Sequence, residues 1–419
     1  MTATATFLRL TNRTLTVVLL LLFLGPLVLT AVRYWPLHSN VSRFLDRAWI
    51  GRPALVGVTV PIPDAPLTWH SVRTGEFQKS FASRFNEKFA GREALIRLTG
   101  ELWYRLFRRP ANPSSTIIFG RNDSLFEKGY LDEYFVSRRS RADMEPMVRD
   151  LRRVQDACRE HGMAFALVLS PTKATIHPED IPRQWRRFYD PRPRMYHVIT
   201  QLFRDYGIEY VDAVELLSQE NQKNNYPAPL FPKGAMHWSR RGGFIAANGL
   251  QSVLARQHKF AEPIEITEST VKMKPEGEEG DLAELLNTAH HWEFPIEKLK
   301  IKPSNRPRDQ RMTAAMVADS FGWSLLHVLH DSEQFSEIGF FFHYRRSKTL
   351  AGEGGNWKRV RVPATPIDFP SEIWAADCLI LEINEVTLID RETHITGFLK
   401  DALVNLPAPN SPKPKFRGN

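Results

Sequence analysis

Apolar residues along this chain fall into alternating periods. Met144, Met147, Leu151, Val154 and Cys158 lie three and four residues apart, which predicts an amphipathic helix stopped at Gly162. Met163 to Ser170 (MAFALVLS) is apolar on both faces, the pattern of a strand inside a parallel sheet. The unit then repeats. Met195, Val198, Ile199, Leu202, Phe203 and Tyr206 predict a helix stopped by Gly207, and Ile208 to Asp212 predicts a strand. Ser239 is positioned to cap a helix running through Phe244, Leu250 and Leu254. Further strands are expected at Ala314 to Ala318, Ile338 to His343 and Cys378 to Ile383. Strands alternating with helices predict an α/β fold, a parallel sheet flanked by helices on both faces.

Outside this series the pattern changes. Phe77 to Phe107 has helical spacing, and Ser115 to Tyr130 reads as strand, polar turn and strand. Residues 34–75 are rich in Pro and Trp, with little periodicity, and suggest a stalk or cover. The tail PAPNSPKPKFRGN is expected to be disordered. Thr14 to Val32 is a run of 19 residues without a charge, long enough to span a bilayer. Arg9 and Arg13 precede it with no balancing acid, which orients the N-terminus to the cytoplasm and the remainder outward. A cleaved signal peptide is the alternative; the length of the run, and the lack of an Ala-x-Ala site after it, favour an uncleaved anchor. The division expected is therefore anchor 1–33, stalk 34–75, main domain 76–403 and tail 404–419.

Composition adds mainly exclusions. With 42% hydrophobic and 25% charged residues the chain has a globular balance. The net charge is +9, and three of the cations are Arg9, Arg13 and Arg33. Two small clusters, Arg183, Arg186 and Arg187, and Arg345, Arg346 and Lys348, are too short to predict a nucleic-acid partner. Two cysteines, Cys158 and Cys378, exclude a disulfide scaffold or a cysteine-rich metal site and read as buried thiols.

The chemistry concentrates where the strands end, because ligands of parallel sheets bind at the carboxyl ends. Those ends carry Ser170-Pro171-Thr172-Lys173, Asp212, Ser320 and Asn384-Glu385. Ser320 follows the strand AAMVA on an abrupt turn, Asp319-Ser320-Phe321-Gly322. Such a turn lifts a hydroxyl out of the sheet beside a helix N-terminus, as an acyl-transfer nucleophile requires; a serine there also serves as a simple helix cap. His237 lies in the polar loop Pro232-Lys233-Gly234-Ala235-Met236-His237-Trp238-Ser239 and is positioned to act as its base, although a loop histidine packed on Trp238 has the same spacing. No second ligand stands near it at metal spacing, so no metal is expected.

These segments together resemble one family, the membrane-anchored periplasmic alginate O-acetyltransferase group of AlgJ/AlgX-like proteins, whose domain is SGNH-hydrolase-like. Met236-His237-Trp238 matches its Asp-x-His-Trp block and Ala318-Asp319-Ser320-Phe321 its Gly-Asp-Ser block. Pro171-Thr172-Lys173 followed by Pro178 matches a Pro-x-Lys segment. Phe89 to Glu93, Gly120 to Phe126 and Gly280 to Leu286 resemble three further recurrent stretches. The resemblance covers roughly residues 75–390. It implies Ser320 as nucleophile, His237 as base, and movement of an acetyl group through an acetyl-serine onto an exported or cell-surface polysaccharide. It also implies a membrane-bound acyltransferase partner that donates the acetyl group, an inner-membrane, periplasm-facing location, and no cofactor.

Two positions depart from the family pattern. Ala235 stands where the acid belongs, and Ala318 stands where the glycine belongs. Asp212, ending the strand before the His237 loop, is the substitute acid expected; a Ser–His dyad, or a degraded site that only binds polysaccharide or a partner, are the alternatives. An acetylesterase is a third. Asp319 reads as a turn former. Lys173, Trp238, Tyr344 and Asn384 are candidate substrate contacts, with Trp323 and Glu385 beside them; core packing or backbone capping is the other fate of such residues.

Overall fold

The computed structural model describes residues 24, 28, 55–58, 65–89, 92–136, 139–188, 192, 194–223, 225–257, 262–344, 347–351, 357–360, 367–389, 393–407, 415 and 416. All of the apolar run 14–32 except Leu24 and Val28 lies outside them, as do residues 408–414 and 417–419 of the tail. No helix among the described residues is long and apolar enough to cross a membrane.

The chain divides into two compact units, 1–115 with 284–291, and 116–283 with 292–419. The expected main domain, 76–403, takes in parts of both. In the first unit a short helix, α1 (Trp69–Thr74), lies within the expected stalk, and the helical stretch after it is broken into α2 (Glu76–Lys88) and α3 (Arg92–Phe107). Thr68 and Ser71 form a reciprocal cap at the start of α1, and Gly75 ends it in the left-handed conformation. The apolar stripe of α3 is turned outward: Leu95, Leu98, Leu102 and Leu106 are all exposed.

The second unit begins with a hairpin of β1 (Ile117–Phe119) and β2 (Leu125–Glu127). Helices α4 (Lys128–Phe135) and α5 (Arg141–Glu160) lead into β3 (Ala164–Ser170). A single turn, α6 (Lys173–Ile176), and the helix α7 (Met195–Asp205) precede β4 (Tyr210–Asp212). Then come α8 (Ala213–Lys223) and α9 (Arg240–Gln257), which starts on the Ser239 hydroxyl as expected. An antiparallel pair follows, β5 (Ile266–Lys272) and β6 (Ile296–Ile301), with the short helix α10 (Asp281–Leu285) between its strands. The chain closes with β7 (Met312–Ala318), α11 (Gly322–Asp331), β8 (Phe335–Phe342), β9 (Ser347–Ala351), β10 (Trp357–Val360), β11 (Cys378–Asn384) and α12 (His394–Val404).

Seven strands form one sheet in the order β10-β9-β8-β7-β11-β3-β4. The five from β8 to β4 are parallel, and β9 and β10 add an antiparallel edge. The alternation within each strand sorts side chains to two cores. Phe165, Leu167 and Leu169 of β3 join Val317 of β7 and Leu379, Leu381 and Ile383 of β11 on the face covered by α5, α7 and α12. Ala166, Val168, Met316 and Ile380 lie on the opposite face, under α9 and α11. A fully buried Leu, Ile or Phe contributes about 1.5–3 kcal/mol, so doubly covered strands place the most stable part of the unit directly beneath the ends of β7, β11 and β3. Cys158 and Cys378 are both buried, free thiols.

Candidate active site

Ser320 sits immediately beyond the carboxyl end of β7, in a turn that leaves little room. A Cβ added at Gly322 would lie 2.4 Å from the Ala318 Cβ, so the tight passage from strand to helix needs glycine at 322. The Asp319 Oδ1 accepts the Phe321 N–H at 2.8 Å and its Oδ2 the Asn384 N–H at 3.3 Å, which confirms Asp319 as the turn former. Ser320 itself is only half-buried, and its backbone N–H has no acceptor among the described residues.

The histidine arrives from the loop before α9. His237 is 6% exposed, and its ring centroid lies 4.8 Å from that of Phe321. The Ser320 hydroxyl donates to His237 Nε2 at 2.8 Å. On the other side, His237 Nδ1 meets the Asp281 Oδ2 at 2.7 Å. An ionised carboxylate only accepts, so the proton resides on Nδ1 and the Nε2 lone pair faces the serine. This is the tautomer that a base needs.

Asp281 opens α10 and is itself pinned. Its Oδ1 accepts the Met236 N–H and the Leu282 N–H, both at 2.8 Å. The loop and the helix are sewn together by the Ala283 N–H on the Gly234 carbonyl at 3.0 Å, and a Cβ at Gly234 would strike Phe294 and Ala283. Ala235, in the place of the family's acid, is fully buried. The carboxylate is therefore supplied from 44 residues further along the chain.

This corrects the assignment of Asp212. It ends β4, the edge strand, three strand positions from β7, about 14 Å at normal sheet spacing. Its carboxylate accepts from the Tyr196 hydroxyl and the Glu215 N–H, each at 2.9 Å, capping α8. The signal for Asp281 was present, because Gly280 to Leu286 stood out as a family-like stretch; local spacing offered no link from it to His237.

The expected substrate contacts are corrected as well. Trp238 is fully buried and donates its indole N–H to the Phe321 carbonyl at 3.0 Å. Tyr344 is buried against Phe398 with its hydroxyl on Asp401 at 2.6 Å. Asn384 is fully buried and clamps the Pro171 carbonyl at 3.0 Å and the Val386 N–H at 3.1 Å. Glu385 caps Thr172 and pairs with Arg194 at 3.0 Å, and Trp323 packs on Phe340 and Phe342. Lys173 is buried and donates to the carbonyls of Leu125 and Lys233, both at 2.9 Å, so it braces the His237 loop and does not face a ligand. Burial lowers its pKa to about 7.

Electrostatics agree with the geometry. Burial pulls the His237 pKa down, but the Asp281 hydrogen bond and the charges of Asp281, Glu278 and Asp319 outweigh it, and the net result is a rise above 6.5. Glu278, half-buried and 3.5 Å from the Ser324 hydroxyl, is raised to about 7, mainly by burial and further by the Asp281 charge. Behind the nucleophile, Glu382 is held well above the usual carboxylate range by full burial and by Asp319. It accepts from the Ser170 hydroxyl at 2.6 Å and the Asp319 N–H at 3.1 Å. Asp319, Glu382 and His394 are the one group of possible metal ligands among the described residues. The carboxylates already accept these backbone and hydroxyl donors, and we read the group as a buttress for the Ser320 turn.

Residues 117–319 match the family model described as SGNH hydrolase-like domain, acetyltransferase AlgX. No curated protein matches the chain. Among solved structures, the O-acetyltransferase domain of Pseudomonas putida AlgJ is similar at 17% identity and a TM-score of 0.47, covering 71% of this chain and 99% of that one. Pseudomonas aeruginosa AlgX shares 15% identity at a TM-score of 0.42, over 70% of this chain and 71% of that one. Bacillus cereus PatB1 shares 8% identity at a TM-score of 0.43, over 66% of this chain and 99% of that one. The AlgX match over residues 117–319 lies within the stretch, roughly 75–390, over which the motifs of the chain resemble the AlgJ/AlgX-like group.

Proposed function

We propose that the protein is an O-acetyltransferase that modifies an exported or cell-surface polysaccharide through an acetyl-serine on Ser320. The observation that carries this reading is the unbroken chain Ser320–His237–Asp281, with hydrogen bonds of 2.8 and 2.7 Å. His237 Nε2 takes the hydroxyl proton as Ser320 Oγ bonds to the acetyl carbonyl carbon, and Asp281 balances the imidazolium. The carbonyl π electrons move onto oxygen, where the free Ser320 N–H at the start of α11 is available to the oxyanion. Collapse expels the donor oxygen, which receives the proton from His237. A sugar hydroxyl then repeats the sequence: its proton goes to His237, its oxygen bonds to the acetyl carbon, and Ser320 Oγ leaves with the proton returned. No step calls for a metal or a cofactor.

The AlgX-type family match supports polysaccharide acetylation as the setting. The uncharged run 14–32, led by Arg9 and Arg13, supports an inner-membrane anchor with the catalytic unit in the periplasm. In that setting a membrane-bound acyltransferase supplies the acetyl group. The test is acetyl transfer from an ester donor to added oligosaccharide, followed by mass spectrometry for wild type and Ser320→Ala. Acetylated sugar with wild type alone supports the proposal. Ester hydrolysis without transfer would make the protein an acetylesterase, and activity surviving in Ser320→Ala would remove the nucleophile.

A further inference from the structure

A cavity of about 570 Å³ is bounded by Arg240, Glu278, Glu279, Lys298, Ser324 and His327. Two of its wall residues connect it to the chemistry. Ser324 stands one helical turn beyond Ser320 on α11, and Glu278 lies three residues before Asp281, within the field of His237. A cavity of this size accommodates one or two sugar rings.

The charges on its wall are unusual for a site that takes an acidic polymer. Both cations are already spent. Arg240 is paired with Asp331 and donates its backbone N–H to Glu279 at 3.3 Å. Lys298 bridges Glu276 at 3.3 Å and Glu279 at 3.2 Å. Lys173, which braces the histidine loop, is held by two carbonyls and lies outside the wall. Glu278 is the exception among the wall acids: among the described residues its one side-chain partner is the Ser324 hydroxyl at 3.5 Å. Among the described residues of the wall, a uronate carboxylate entering here would find no unpaired cation and would face Glu278. A neutral sugar hydroxyl would find a carboxyl, a serine hydroxyl and an imidazole, all able to hydrogen-bond it.

We infer that this cavity is the acceptor subsite and that it selects an uncharged saccharide over a polyuronate, with Glu278 as the residue that sets the preference. The inference rests on the transferase reading above for the word acceptor, and on the cavity's own wall for its selectivity.

Binding separates the two. The full chain carrying Ser320→Ala is titrated with a neutral chito-oligosaccharide and with an oligomannuronate of equal length. At pH 8, where Glu278, whose pKa burial raises to about 7, is mostly ionised, the neutral ligand should bind about tenfold or more tightly, the size of effect expected from one unscreened like-charge contact. Adding Glu278→Gln should narrow the ratio, and Glu278→Lys should narrow or reverse it; the ratio is internal to each variant, so loss of folding in one leaves the other to decide. Uronate binding as tight as neutral binding, or a ratio that neither substitution moves, overturns the inference. Acetyl-ester turnover by the wild type is read in parallel. Selective binding without turnover overturns the transferase reading and leaves the saccharide site standing, whereas turnover with uronate preference overturns the site alone.

Discussion

Replacing Asp281 by Asn is the sharpest perturbation of the proposed mechanism, and the structure dictates how it acts. Asp281 Oδ1 faces two donors, the Met236 and Leu282 N–H groups, while Oδ2 faces His237 Nδ1. An asparagine has one acceptor oxygen, and the two backbone donors claim it. The amide NH2 is then turned toward Nδ1, which becomes an acceptor, and the ring proton moves to Nε2, where it blocks transfer from Ser320. The substitution also removes the charge that balances the imidazolium. At about 4 Å between charge centres and an effective dielectric near 20, that charge is worth about 4 kcal/mol, roughly 10³-fold in rate. The tautomer penalty acts on the same step, and the same exchange in serine proteases costs about 10⁴. We expect turnover of an acetyl-ester reporter to fall about 10³–10⁴-fold in Asp281→Asn, with an unchanged circular dichroism spectrum. Asp212→Asn, on the edge strand, should stay within about threefold of wild type, since asparagine can still accept from Tyr196 or Glu215. A loss below about tenfold in a folded Asp281→Asn, or a larger loss in Asp212→Asn, would refute the assignment of the acid.

Three further outcomes follow from the buried ionisable groups. The base must be neutral to act, and its folded pKa is raised, so kcat/KM should climb with pH along a limb centred above 6.5; a midpoint below 6.5 would contradict the coupling to Asp281. Lys173→Met leaves the Leu125 and Lys233 carbonyls without a donor, at a cost of about 1–3 kcal/mol each, part of which is offset by removing a buried ammonium. It should lower both Tm and kcat, because Lys233 belongs to the His237 loop, and an unchanged kcat would deny the bracing role. Glu382 has a raised folded pKa, so its contribution to stability is complete below its unfolded pKa and is lost as pH rises toward the folded value, by about 1.4 kcal/mol per pH unit. Wild-type stability should accordingly decline relative to Glu382→Gln between pH 5 and pH 8, measured by thermal melts; parallel curves would show that the buried carboxyl does not carry its proton.

The parallel core was legible because burial on both faces imposes a simple demand, continuous apolar strands flanked by helices of period 3.6. β3, β7 and β11 answer to it, and each lies within two residues of its expected bounds. Ser320 and His237 were legible for other reasons: Ser320 breaks off an apolar strand where a ligand-binding edge is expected, His237 lies in a polar loop, and both stand in family-like motifs. Asp281 was not, because a hydrogen bond across 44 residues depends on how α10 returns to the loop, and no periodicity encodes that return. The aromatic candidates failed for a physical reason of their own. Trp238 and Tyr344 each find one polar partner inside the core, the Phe321 carbonyl and Asp401, and so satisfy their polar atoms without solvent or ligand. The break of the first helical stretch into α2 and α3 at Phe89, whose backbone is extended, likewise leaves the apolar spacing on either side intact and unreadable as two elements.

The central claim is that an acetyl group passes through Ser320. Rapid quenching of the purified protein with an acetyl-ester donor, followed by peptide mass spectrometry, tests it directly. The account predicts one acetyl group on the peptide containing Ser320, formed at the rate of ester turnover, discharged on adding an acceptor saccharide, and absent in Ser320→Ala. Turnover at the wild-type rate with no acetyl on that peptide, or with the acetyl on another residue, would contradict it.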